Sequence, residues 1–89
     1  MRIEQKPTFR RNYKKLHKNQ RRAVQDAIRY IAANPETGVE KIGDLRGIKV
    51  FKFDCISQEY LLAYEYHDTH CVLLAVEPHE NFYRDLKRR

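Results

Sequence analysis

Residues 48–76 read IKVFKFDCISQEYLLAYEYHDTHCVLLAV, and this stretch decides the fold. Its apolar residues recur at every second position, the period of a pleated strand rather than a helix. Lys49, Phe51 and Phe53 fall on one face of a first strand, with Ile48, Val50 and Lys52 on the other. A turn over Asp54 to Gln58 leads into a second strand, Glu59 to Tyr66. In it Tyr60, Leu62, Tyr64 and Tyr66 share one face, and Leu61 and Ala63 lie on the opposite one. Asp68-Thr69 supplies the next turn, and Cys71 to Val76 is a third strand, apolar throughout. Strands joined by such short turns pair antiparallel, as a meander. Pro78 ends the sheet.

Upstream the period changes to that of a helix. Residues 2–5 can form a short strand anchored by Ile3, which Pro7 ends. Thr8 is the expected N-cap of a first helix, in which Phe9, Tyr13 and Leu16 fall on one face. Asn19 is the expected cap of a second helix, where Val24, Ala27, Ile28 and Ile31 recur at helical spacing until Asn34-Pro35. Two short amphipathic helices with little between them form an αα-hairpin. Neither is stable alone, so their apolar faces must cover the sheet. Residues 36–47, punctuated by Gly38, Gly43 and Gly47, read as a connector, and the chain beyond Pro78 as a short basic helix or tail. The expectation is an α+β fold, β-α-α-β-β-β, with a helical hairpin on one face of a curved antiparallel sheet of three to four strands.

The 89 residues allow one domain, covering 1–89, and contain no internal repeat. The net charge is +6 and unevenly spread. Residues 1–22 carry nine Lys or Arg and one acid, Glu4; the last six residues carry four bases and one acid. Such a surface attracts polyanions, although solvated helix faces alone would also produce it. Cys55 and Cys71 have no metal-ligand spacing and are expected to be reduced thiols. No long apolar run or signal peptide is evident, which points to a cytoplasmic protein with no membrane partner. There is no phosphate-binding glycine loop, no nucleophile elbow and no zinc spacing, so a nucleotide-cofactor enzyme or metalloenzyme has no support, and no cofactor is expected.

Chemistry, if present, belongs to the segment His79-Glu80-Asn81-Phe82-Tyr83-Arg84, just past the last strand. His79 and Tyr83 are four apart and share a face on a helical turn. Histidine titrates near neutrality, and tyrosine can exchange a proton when cations lie nearby. Lys52 sits mid-strand on the face away from Phe51 and Phe53. Lys49, Arg46 and Arg84 could join it in holding a phosphate and a developing negative charge. RNA supplies its own nucleophile, the 2′-hydroxyl, so a base, an acid and charge stabilisation suffice to cleave it without metal. The bland reading is a surface histidine, a tail pinned by Phe82 and a solubilising lysine.

Three local patterns, in this order, resemble the RelE/ParE superfamily of toxins from bacterial type II toxin–antitoxin modules. They are Asp44-Leu45-Arg46-Gly47 before the first meander strand, then Val50-Phe51-Lys52-Phe53 followed by Glu59-Tyr60-Leu61-Leu62-Ala63-Tyr64, then the apolar strand running into Pro78-His79-Glu80-Asn81-Phe82-Tyr83-Arg84. The resemblance spans residues 2 to about 88. It implies a cognate antitoxin that wraps and neutralises the chain, and operator DNA bound through the antitoxin complex. Within the superfamily, RelE-like members cut mRNA on the ribosome without a metal, whereas ParE-like members inhibit DNA gyrase and lack the nuclease residues.

Carried over by position, the RelE-like roles fall on His79 and Tyr83 for proton transfer, and on Lys52 or Lys49 for phosphate or base duty. Arg46 and Arg84 would bind phosphate. Lys14 and Lys15, on the basic N-terminal helix, would dock on ribosomal RNA phosphates. Two positions depart from that pattern: Leu61 stands where RelE carries an arginine, and Pro78 replaces a basic residue. The expected function is a ribosome-dependent mRNA endonuclease toxin, with gyrase inhibition as the alternative.

Overall fold

A computed structural model describes residues 2–40 and 47–81. Along the chain it contains β1 (Arg2–Gln5), α1 (Pro7–Lys14), α2 (Lys18–Ala33), β2 (Val39–Glu40), β3 (Lys49–Asp54), β4 (Glu59–His67) and β5 (His70–Pro78). Residues 79–81 then turn helical. The expected α+β fold is present. The sheet has five strands in the order β1-β5-β4-β3-β2, one more than expected. The additional strand is β2, which lies in the stretch read as a connector and pairs Val39 with Val50 and Glu40 with Lys49. Two residues are too few to show a two-residue period.

The meander pairs as its alternation requires: Lys52 faces Leu61 across β3 and β4, and Leu62 faces Val76 across β4 and β5. A bulge interrupts the β4–β5 register between Ala63 and Tyr64, adding curvature there. β1 joins the opposite edge parallel to β5, from Arg2 opposite His70 to Gln5 opposite Leu73. The β3–β4 turn is unusual in its residues. Ile56 and Ser57 have φ of 53° and 65°, and Cys55 N–H donates to Gln58 O at 2.7 Å. This is the two-residue hairpin turn that favours Asn-Gly, here built from Ile-Ser.

Both helices begin elsewhere than their expected caps. α1 starts at Pro7, whose fixed φ suits a first helical position and whose missing N–H costs nothing there. Lys6, rather than Thr8, is therefore the capping residue. α2 starts at Lys18, one residue before Asn19. His17 takes the cap position, and its backbone N–H donates to Gln20 Oε1 at 2.8 Å, half of a capping box.

The principal core lies between the hairpin and the sheet. Phe9, Val24, Ala27 and Ile31 from the helices meet Tyr60, Leu62, Tyr64, Cys71, Leu73 and Val76. A second cluster of Val50, Leu61, Ala63, Val72 and Leu74 occupies the other face of the sheet. Cys55 and Cys71 are free and buried, and burial pushes both thiols up from their ordinary range. Among the described residues no helix is long and apolar enough to cross a membrane.

Candidate functional site

The face of the sheet away from the hairpin carries a cleft of about 490 Å³, lined by Thr37, Val39, Val50, Phe51, Lys52, Leu61 and His79. Lys52 reaches it because residue 52 is out of phase with Phe51 and Phe53, which pack on the helical side. His79 reaches it from the first helical residue after β5. Leu61, 1% exposed and opposite Lys52 in the ladder, forms the floor. The wall is Thr37 and Val39, which arrive through β2.

That wall is fastened from below. The Tyr64 hydroxyl, fully buried, donates to Pro35 O at 2.8 Å and accepts from Gly38 N–H at 2.9 Å. A Cβ on Gly38 would come within 2.7 Å of that oxygen, so glycine is required for the close approach. Burial raises the Tyr64 phenol above its ordinary range, and the Gly38 hydrogen bond partly offsets this.

Glu59, the first residue of β4, adds a carboxylate at the rim. Its Oε1 lies 4.0 Å from His79 Nε2. Glu59 also shares a shallow hollow with Lys52, Phe53 and Asp54. The rim thus combines an ammonium, an imidazole and a carboxylate that can pair with the imidazole when it is protonated. The floor and wall are largely apolar. Such a site can hold a phosphate at Lys52 and pass a proton at His79.

The structure brings Lys52 and His79 together and separates other residues singled out above. Lys49 lies on the opposite face of β3 and pairs with Glu40 at 3.8 Å. Lys14 and Lys15 end α1, and Lys15 lines a different, polar hollow with Asn12, His17, Gln20, Tyr60 and Glu77. Tyr83, Arg46 and Arg84, together with the Asp44-Leu45-Arg46 pattern and most of the C-terminal tail, lie outside the described residues. Glu59, Thr37 and Val39 were not singled out by sequence. Glu59 alone left a signal, as the acidic residue opening a strand directly after a turn. Among the described residues no three His, Cys, Asp or Glu side chains converge as a metal ion would require.

Comparisons with known proteins agree on one kind of molecule. A comparison with curated proteins gave no match. Among solved structures, the free form of an E. coli RelE toxin double mutant superposes with a TM-score of 0.72 at 16% identity, over 98% of this chain and 95% of that one. The YoeB/ParE toxin from Agrobacterium tumefaciens gives 0.71 at 14% identity, over 89% and 99%. A chain of the intact E. coli RelBE toxin–antitoxin complex gives 0.69 at 16% identity, over 84% and 92%. At such identities the likeness concerns the fold. A family model, ParE-like toxin of type II bacterial toxin–antitoxin system, matches residues 3–87, nearly the whole chain, and the protein belongs to that family of toxins.

Proposed function

We propose that this toxin is a metal-independent endoribonuclease that cuts mRNA on the ribosome, with the Lys52–His79 cleft as its active site. The observation that carries the reading is the meeting in one cleft with an apolar floor of Lys52, from the middle of β3, and His79, just past the end of β5. In the cleavage step a base removes the 2′-hydroxyl proton, the 2′-oxygen forms a bond to phosphorus, and the bond from phosphorus to the 5′-oxygen breaks. An acid returns a proton to that leaving oxygen, yielding a 2′,3′-cyclic phosphate and a 5′-hydroxyl. His79 and Tyr83 share the two proton transfers. Lys52 neutralises the charge that builds on the phosphoryl oxygens. Glu59 steadies the His79 imidazolium when it is protonated. Lys14 and Lys15 meet ribosomal phosphates. Arg46 and Arg84 supply further phosphate contacts, whereas Lys49, on the opposite face of β3, does not reach the cleft.

A cognate antitoxin neutralises this activity in the cytoplasm, and the pair binds operator DNA through the antitoxin. The solved RelBE complex of a structural neighbour supports that partnership. One observation favours the second reading, inhibition of DNA gyrase: the centre of the cleft is the neutral Leu61.

Purified toxin added to programmed ribosomes decides between the two. The nuclease reading expects discrete mRNA cuts with cyclic-phosphate ends, reduced about a hundredfold or more by His79→Ala and by Lys52→Ala. Intact mRNA together with loss of gyrase supercoiling would establish the second reading instead.

A further inference from the structure

β2 is two residues long, and little within it chooses its register. Its ladder with β3 has two pairs, Val39 with Val50 and Glu40 with Lys49. Val39 keeps 64% of its surface exposed, so burial adds little to the choice. Yet the register decides what the cleft contains. Thr37 and Val39 line it, while Gly38 meets the Tyr64 hydroxyl and Glu40 meets the Lys49 ammonium on the opposite face. Side chains alternate between faces, so a slip of one residue would exchange the two sets. Glu40 would then turn its carboxylate into the cleft that Lys52 lines, against any phosphate held there.

One core side chain opposes that slip. Tyr64 is fully buried in β4, between Lys49 on β3 and Leu73 on β5. Its hydroxyl spans the turn before β2, donating to Pro35 O and accepting from Gly38 N–H. Thr37 N–H donates to Asn34 O at 3.0 Å, which closes the same turn against the end of α2. The fit at Gly38 excludes other residues, because a Cβ there meets the hydroxyl oxygen at 2.7 Å and the Tyr64 ring at 2.9 Å. A slip of one residue in either direction brings Thr37 or Val39, each with a Cβ, to that place. Resting on the reading of the Lys52–His79 cleft as a phosphate site, we propose that Tyr64 is a positioning residue that locks the register of β2 and so keeps Glu40 out of the cleft. Tyr64 packs in the core on the helical side of the sheet and acts through Gly38.

The test uses the whole toxin and, as probe, a dinucleotide whose 2′-deoxy sugar at the cut position prevents cleavage. Tyr64→Phe removes both hydrogen bonds and the closer of the two contacts at Gly38, and should weaken probe binding about tenfold. Adding Glu40→Gln should restore affinity to within about twofold of wild type. The Tm should stay at the lowered value of Tyr64→Phe, because Glu40 is exposed and its pair with Lys49 contributes little. Glu40→Gln alone should bind the probe as wild type does. A residue that only stabilises the fold would lower the Tm of Tyr64→Phe and leave the affinity of the folded protein unchanged, which overturns the proposal. A loss of affinity that Glu40→Gln fails to restore would also overturn it. His79→Ala on programmed ribosomes separates the two ideas: if it cleaves normally the active-site reading falls, and nuclear Overhauser contacts between Val39 and Val50 still decide the register. Their persistence in Tyr64→Phe would sink the lock, and their replacement by contacts from Gly38 or Glu40 to Val50 would sustain it.

Discussion

Tyr64→Phe deletes one oxygen atom and should cost about 2 kcal/mol of stability. The hydroxyl serves two backbone groups, Pro35 O at 2.8 Å and Gly38 N–H at 2.9 Å. Both residues are half-buried, so water can replace the lost partner only in part. An unpaired buried group costs about 1–3 kcal/mol, and partial rehydration of two such groups brings the sum to about 2. A domain of this size has on the order of 4–13 kcal/mol in total. The loss corresponds to a fall in Tm of about 8–16 °C, measured by circular dichroism melts of both proteins at one concentration. A second arm isolates the close approach. Gly38→Ala puts a Cβ 2.7 Å from the hydroxyl and 2.9 Å from the Tyr64 ring, an overpacking cost of about 1–3 kcal/mol. The double variant should cost less than the sum, because removing the oxygen relieves part of the clash. A Tyr64→Phe protein within about 0.5 kcal/mol of wild type would show that the α2–β2 connection is held by something other than this hydroxyl.

Two further outcomes follow from the same structure. Ile56→Asn with Ser57→Gly should stabilise the domain by about 1–2 kcal/mol, since both positions hold positive φ that costs ordinary side chains energy; urea midpoints measure it, and an unchanged midpoint would count against the turn. Burial raises the Cys55, Cys71, Tyr60 and Tyr64 acids in the folded state, above ordinary values of 9.0 for the thiols and 10.0 for the phenols. Their protonated forms are favoured by folding, so this contribution is complete below about pH 9 and is lost as pH rises through the elevated values. Denaturation midpoints should therefore fall on the alkaline side, and native thiols should react slowly with iodoacetamide below that pH.

The meander was legible because alternation over Ile48 to Tyr66 leaves only one way to sort the side chains between two faces. The same alternation separates Lys49 from Lys52, although phosphate duty had been assigned to both. β2 left no signal, since it is defined by its pairing with Val50 and Lys49 rather than by its own residues. The helix starts shifted because backbone constraints outweighed the side-chain preferences of Thr8 and Asn19: Pro7 fixes the first turn of α1, and Gln20 reaches back to His17. Lys52 and His79 were recognisable by residue type, but their shared cleft depends on strand register. Asn12 carries no local signal of its role as a hydrogen-bond partner of Val76 and Glu77. Its partners lie 64 and 65 positions away, beyond the reach of any local pattern.

On the proposed function, toxicity arises from chemistry in the Lys52–His79 cleft. The most direct measurement induces the toxin without its antitoxin and follows labelled amino acid and labelled thymidine incorporation together, in wild type, Lys52→Ala and His79→Ala. Protein synthesis should stop first in wild type while DNA synthesis continues, and both variants should incorporate each label normally. Arrest of DNA synthesis with translation intact, or full arrest of translation by both variants, would contradict the proposed function.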